Sequence, residues 1–234
     1  MSGRCYLCLS ETKYHEALLC TSCFCEVQRD RWLFCARCGC VDCSGCEKLK
    51  DFHKVSSLYT YGKIFALVLI LSKEENNISA QKVFYELFFI PVKKALLELL
   101  FRENYDFIIL SPLRKERLFH GAWHPNLFYD EVLIHLFSYD LKGKIKTKIL
   151  CPYYAKSKKK QSLIPVGERE REQKKNFDLI YQDTTDKEKN KKILLLDDVL
   201  TTGESALLCK RQSENEFPHA LWDFFSILRA PQLK

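Results

Sequence analysis

The chain has 234 residues, 47% of them hydrophobic, including 16 Phe and 11 Tyr. That is enough apolar matter for one full domain plus a small module, and it excludes wholesale disorder. The formal charge of +7 suits an anionic partner; the longest apolar run, Ile64 to Leu71, is too short to span a bilayer.

The N-terminal module comes first. Ten of the twelve cysteines lie between Cys5 and Cys46. No secretory leader precedes them, so the expected setting is a reducing cytoplasm, where dense cysteines signal metal more often than disulfides. They form four Cys-x-x-Cys knuckles: Cys5/Cys8, Cys20/Cys23, Cys35/Cys38 and Cys43/Cys46. A knuckle presents two thiolates from one tight turn, and two knuckles complete a tetrahedral zinc site. Read in order, Cys5, Cys8, Cys20 and Cys23 hold one Zn2+, and Cys35, Cys38, Cys43 and Cys46 a second. Cys25 and Cys40 leave the register open, because each can exchange with its neighbour Cys23 or Cys38. About fifty residues with little aliphatic content build no core unaided, so the metal is expected to be structural. The expected division is a zinc ribbon over residues 1–50 and a larger domain over 51–234.

Glu47 to Lys54 is polar and reads as a linker. Val55 to Tyr61 alternates as a strand leading into the apolar run 64–71. Ser79 can cap a helix to about Phe89, and Pro91 can start another to about Arg102, since proline is tolerated in a first helical turn. Asp106 to Ser111 reads as a short buried strand, and 125–137 as an amphipathic helix with Pro125 in its first turn. Residues 141–160 hold eight lysines (142, 144, 146, 148, 156, 158, 159 and 160) and no carboxylate. Together with Tyr153 and Tyr154 these make a candidate surface for single-stranded DNA, by charge pairing and base stacking; an edge strand guarded by lysine is the other reading. Residues 156–192 read as a loop or hood. Lys191 to Leu196, a helix from about Thr202 to Arg211, and Leu221 to Leu228 complete the pattern. Strands alternating with helices predict an α/β fold with a mainly parallel sheet and flanking helices. Ligands of such sheets bind beyond the strand C-termini, where Ser111 and Asp197 both fall.

The most informative stretch runs from Ile193 to Ser205. Four apolar residues form a buried strand, followed by adjacent carboxylates Asp197 and Asp198. A hydroxyl-rich turn, Thr201-Thr202-Gly203-Glu204-Ser205, then opens a helix. Converging backbone N–H groups, the positive helix terminus and small hydroxyls favour phosphate there. The carboxylates stand where two sugar hydroxyls or a hydrated magnesium ion can be held. The Gly-Lys-Thr/Ser end of a Walker A loop is missing.

This strand, Asp-Asp and Thr-Thr-Gly pattern resembles the phosphoribosyl pyrophosphate loop of type I phosphoribosyltransferases. With the cysteine module in front, the whole chain resembles the ComF family of competence-associated, phosphoribosyltransferase-like proteins. Ser111 to Arg117 stands at the family's Pro-rich loop, and His120 to His124 at its Arg-Gly-Phe-Asn motif, with His for Arg. Lys158 to Leu163 resembles its Thr/Lys-x-x-Gln element, and Arg169 to Phe177 its Arg-x-x-Asn element, with Gln173 where Asn is usual. The resemblance implies a type I phosphoribosyltransferase-like domain in which Asp197 and Asp198 hold the ribose hydroxyls. Thr201, Thr202, Gly203, Glu204 and Ser205 would grip the 5′-phosphate, and Arg114 and Lys115 the pyrophosphate with Mg2+. It implies a role in DNA uptake, with single-stranded DNA as a partner. The alternatives are a working phosphoribosyltransferase of nucleotide salvage, and a zinc-ribbon adaptor for a competence helicase.

Overall fold

The computed structural model describes residues 3–5, 10–12, 20–22, 49–114, 122–141, 147–154, 179–180 and 190–230. Of the eight expected zinc ligands, Cys5 and Cys20 lie among them. So do two short antiparallel strands, β1 (Gly3–Arg4) and β2 (Glu11–Thr12).

The larger domain is built on five parallel strands: β3 (Lys54–Thr60), β4 (Phe107–Leu110), β6 (Lys148–Leu150), β9 (Lys192–Leu200) and β10 (Leu221–Arg229). They stand in the order β3-β10-β9-β4-β6. Three two-residue strands, β5 (Leu113–Arg114), β7 (Tyr153–Tyr154) and β8 (Leu179–Ile180), pair separately; β8 falls inside the segment expected to be loop. The helices are α1 (Lys63–Lys73), α2 (Ile78–Arg102), α3 (Pro125–His135, continued by a π-helical turn over Leu136–Asp140) and α4 (Glu204–Ser213).

Strand side chains alternate between the sheet's two faces and so build two cores. Ile108, Leu110, Leu194, Leu196, Phe225 and Ile227 meet α1, α2 and α3 through Phe65, Phe84, Phe88, Phe128 and Val132. On the other face Phe107, Ile109, Ile193, Leu195, Trp222 and Phe224 meet Ala206 and Cys209 of α4 together with Leu49 and Phe52. The buried strands read as near-continuous apolar runs because both faces are covered.

Several boundaries differ from expectation. The two helices foreseen around Pro91 are one, Ile78–Arg102, capped by Asn77, whose side chain accepts from Ala80 N–H, and not by Ser79. Pro91 lies inside it. An interior proline costs about 3 kcal/mol. The unbroken stripe Val83, Phe84, Phe88, Val92, Leu96 and Leu100, every member of it buried, outweighs that cost, since each buried large apolar side chain is worth about 1.5–3 kcal/mol. The polar segment read as a linker contains a turn that buries Leu49 and Phe52. β9 runs on to Leu200, so Asp197 and Asp198 lie within the strand's last turn of pleat, not beyond it. α4 begins at Glu204, after Gly203 as its cap.

Among the described residues no helix is long and apolar enough to cross a membrane.

Candidate functional site

From β4 the chain passes through α3 to β6 at one edge, then returns to β9 on β4's other side and continues through α4 to β10. The strand order therefore reverses between β4 and β9. In such sheets the loops leaving the two C-terminal ends diverge at this point and open a crevice, the usual ligand position. Ser111 N–H donates to Leu196 O at 2.8 Å, which fixes the end of β4 beside the start of the acidic pair.

The pair is held from three sides. Tyr129 of α3 donates its hydroxyl to Asp197 O at 2.7 Å, and Asn126 Nδ2 donates to Ser111 O at 2.9 Å, tying the start of α3 to both strand ends. Asp198 N–H donates to Asp197 Oδ1 at 2.9 Å. Lys73, in the last turn of α1, places Nζ 2.9 Å from Asp198 Oδ2. Asp198 is only 8% exposed, and Asp197 is half-buried.

Burial pushes the Asp197 carboxyl well above the ordinary carboxylate range, and the adjacent Asp198 charge adds to it. Burial acts on Asp198 in the same direction and is the largest single effect, but the Lys73 ammonium together with hydrogen bonding to Asp197 and Lys73 holds Asp198 below its usual range. The phenols of Tyr61 and Tyr129 are pushed up by burial and then by the neighbouring carboxylates, so both are neutral donors.

Beyond Leu200 the chain turns sharply. Thr201 and Thr202 are exposed, Gly203 is buried, and Glu204 and Ser205 are half-buried. Gly203 has φ +80°, where an L side chain is strained. Arg229, 1% exposed, donates Nη1 to Leu200 O at 3.3 Å and to Thr201 O at 2.7 Å, and so pins the entry to the turn. Thr202 Oγ1 accepts from Glu204 N–H at 3.5 Å, a weak contact that leaves the first turn of α4 lightly capped.

Asp197, Asp198, Thr201, Thr202, Gly203, Glu204 and Ser205 thus form one continuous rim. The backbone of Arg114 lies in β5, three residues past Ser111; its side chain and all of Lys115 lie outside the described residues. So do Cys8, Cys23, Cys35, Cys38, Cys43 and Cys46; Cys5 and Cys20 are both buried. Of the lysine row, Lys148 is described, with Nζ over the Phe107 ring at 5.7 Å. Sequence reasoning missed Lys73, Tyr129 and Arg229. Arg229 carried a signal, as a charge closing a mostly apolar strand.

No family model matches the chain, and no curated protein matches it. Among solved structures it is similar to the adenine phosphoribosyltransferase of Leishmania tarentolae, with 12% identity and a TM-score of 0.39 over 65% of this chain and 75% of that one. It is also similar to the adenine phosphoribosyltransferase of Saccharomyces cerevisiae complexed with D-2,5-dideoxy-2,5-imino-altritol 1,6-bisphosphate and adenine, with 14% identity and a TM-score of 0.32 over 65% and 73%.

Proposed function

We propose that the protein binds phosphoribosyl pyrophosphate or a related sugar phosphate in the crevice between β4 and β9, in a type I phosphoribosyltransferase-like domain. The observation that carries this is the acidic pair on β9 at the reversal of strand order, leading without a break into the Gly203 turn and α4. Carboxylates and phosphate-type donors on one rim suit a ligand with hydroxyls at one end and phosphate at the other.

Asp197 and Asp198 accept hydrogen bonds from the two ribose hydroxyls and shield positive charge developing at the anomeric carbon. Backbone N–H groups and hydroxyls from Thr201 to Ser205 take the 5′-phosphate, favoured by the positive end of α4. Of Glu204 the backbone N–H is assigned to that role, since its carboxylate charge would oppose a phosphate. Arg114 and Lys115 follow the neighbouring strand end and are assigned to the pyrophosphate. Mg2+, carried on pyrophosphate oxygens, would neutralise the leaving group's charge.

Zinc remains part of the proposal for the N-terminal module. Cys5 and Cys20 come from two different knuckles and are both buried, as thiolate ligands of a structural ion would be. Roles with single-stranded DNA, in DNA uptake or beside a competence helicase rest on the family resemblance alone.

The test is calorimetric titration of the full chain with phosphoribosyl pyrophosphate and Mg2+. Asp197→Asn with Asp198→Asn is expected to abolish binding while the thermal transition is kept. Equal affinity in the double variant overturns the assignment.

A further inference from the structure

One wall of the crevice comes from outside the motif. β3 ends beside β10, where Tyr61 N–H donates to Arg229 O at 2.7 Å. From there α1 runs to the crevice. Its last turn brings Lys73 to Asp198, and the loop after it reaches the segment leading into α3, where Trp123 N–H donates to Asn76 Oδ1 at 3.1 Å. α1 therefore crosses the C-terminal end of the sheet from its outer strand to the point where strand order reverses.

Two adjacent carboxylates in a crevice are ordinarily a divalent-cation trap, because hard oxygen donors with a double negative charge suit such ions. Here an ammonium already occupies one of them. Among the described residues, the other charges around the pair do not replace it. Arg229 is turned to the backbone oxygens of Leu200 and Thr201, and Tyr61 and Tyr129 present phenols.

We infer that Lys73 is a specificity-determining residue: its contact with Asp198 makes the acidic pair a receptor for a neutral vicinal diol and disfavours a bare divalent cation. Ribose hydroxyls donate to carboxylate oxygens without bringing charge, so Lys73 can remain in place. A cation would have to enter against the ammonium, with one carboxylate oxygen already taken. Any Mg2+ the ligand needs is thereby steered to its pyrophosphate. This rests on the sugar-phosphate reading for the diol; the exclusion of cations rests on the Lys73 contact by itself.

The experiment has two arms on the full chain. In the first, Mn2+ alone is titrated into ligand-free wild type, Lys73→Met, Lys73→Arg and Lys73→Met with Asp198→Asn, followed by electron paramagnetic resonance. Lys73→Met is expected to gain Mn2+ affinity by about tenfold or more, as loss of a unit charge within contact distance implies. The gain should vanish when Asp198→Asn is added, and Lys73→Arg should behave as wild type. In the second arm, Lys73→Met should lose about tenfold in affinity for phosphoribosyl pyrophosphate, with Lys73→Arg restoring most of it. Unchanged Mn2+ affinity in a folded Lys73→Met chain overturns the inference, whatever the second arm gives. Failure of wild type to bind phosphoribosyl pyrophosphate overturns the sugar-phosphate reading and leaves the Mn2+ arm to decide the role of Lys73. Should the Met variant fail to fold, Lys73→Gln carries both arms with the same expected directions.

Discussion

Replacing Gly203 by alanine attacks the turn twice. The residue sits at φ +80°, and an added Cβ would fall far inside contact distance of Leu49 Cδ2, with Leu49 Cγ at 3.4 Å and Leu200 Cδ1 at 3.6 Å. The left-handed conformation costs an alanine roughly 1–2 kcal/mol. The clash cannot be relieved by swinging Leu49 into solvent, because Leu49 is 2% exposed and packed in the α4-side core. Overpacking of that kind costs roughly 1–3 kcal/mol. Gly203→Ala should therefore destabilise by about 2–5 kcal/mol, with an unchanged denaturant slope in guanidinium unfolding. It should also weaken sugar-phosphate binding, since the amides that follow Gly203 move with it. Adding Leu49→Ala opens space for the new methyl, so the double variant should be more stable than the sum of the single changes predicts. A Gly203→Ala protein within about 0.5 kcal/mol of wild type, in the range of an ordinary surface substitution, refutes both the strain and the close approach.

Three further outcomes follow from the ionisable groups and the N-terminal module. Glu103 is held down to about 2 by hydrogen bonds from Lys192 and then Lys54. Its folded value lies below its ordinary 4.5, so the stability it contributes is present above that value and is lost as pH falls toward about 2; Glu103→Gln should flatten this acid limb in a urea series. Asp197 is shifted the other way, so its contribution is present below the ordinary carboxylate range and is lost as pH rises toward its raised folded value; Asp197→Asn should remove that decline. Purified protein is expected to carry about one to two equivalents of zinc, read by elemental analysis, and a metal-free chain that keeps its N-terminal residues ordered would sink the zinc assignment.

The sheet was legible because parallel strands covered on both faces write themselves as apolar runs: Phe107–Leu110 and Ile193–Leu196 could be read directly, and the acidic pair marked the end of one of them. What failed was local punctuation overridden by packing. Pro91 reads as a helix start, yet the stripe from Val83 to Leu100 continues through it. Lys50, Asp51 and Lys54 make their segment read as solvated, yet Leu49 and Phe52 within it serve the α4-side core. Lys73 was invisible for a different reason. It lies 125 residues from Asp198 in sequence, and no local pattern states which helix end will cross the strand termini. Such a contact is set by the path of α1 over the sheet, which only the assembled topology contains.

The two ends of the sheet are built on opposite electrostatic terms. At the N-terminal end, charges are matched. Glu103 lies between Lys54 and Lys192, and Asp106 accepts from Lys192 N–H at 2.9 Å and meets Lys191 at 3.2 Å. The buried Asp223 takes the Tyr105 hydroxyl at 2.7 Å and His53 Nδ1 at 3.0 Å. Buried charge with full hydrogen bonding is tolerable, and there it ties strand starts together. At the C-terminal end, by contrast, carboxyl groups adjoin at Asp197 and Asp198, Gly203 is held at positive φ, and among the described residues a single ammonium, that of Lys73, meets the pair. Nothing in the packing of β9 requires a second carboxylate there, and an apolar residue at 197 or 198 would extend the strand at lower cost. Adjacent carboxylates with oppositely shifted affinities for protons, at the reversal of strand order, are the mark of a site arranged for a ligand instead of for the fold. The proposed sugar phosphate would bring hydroxyls to the carboxylates and phosphate to the turn and so answer both features at once, which a bare ion would not.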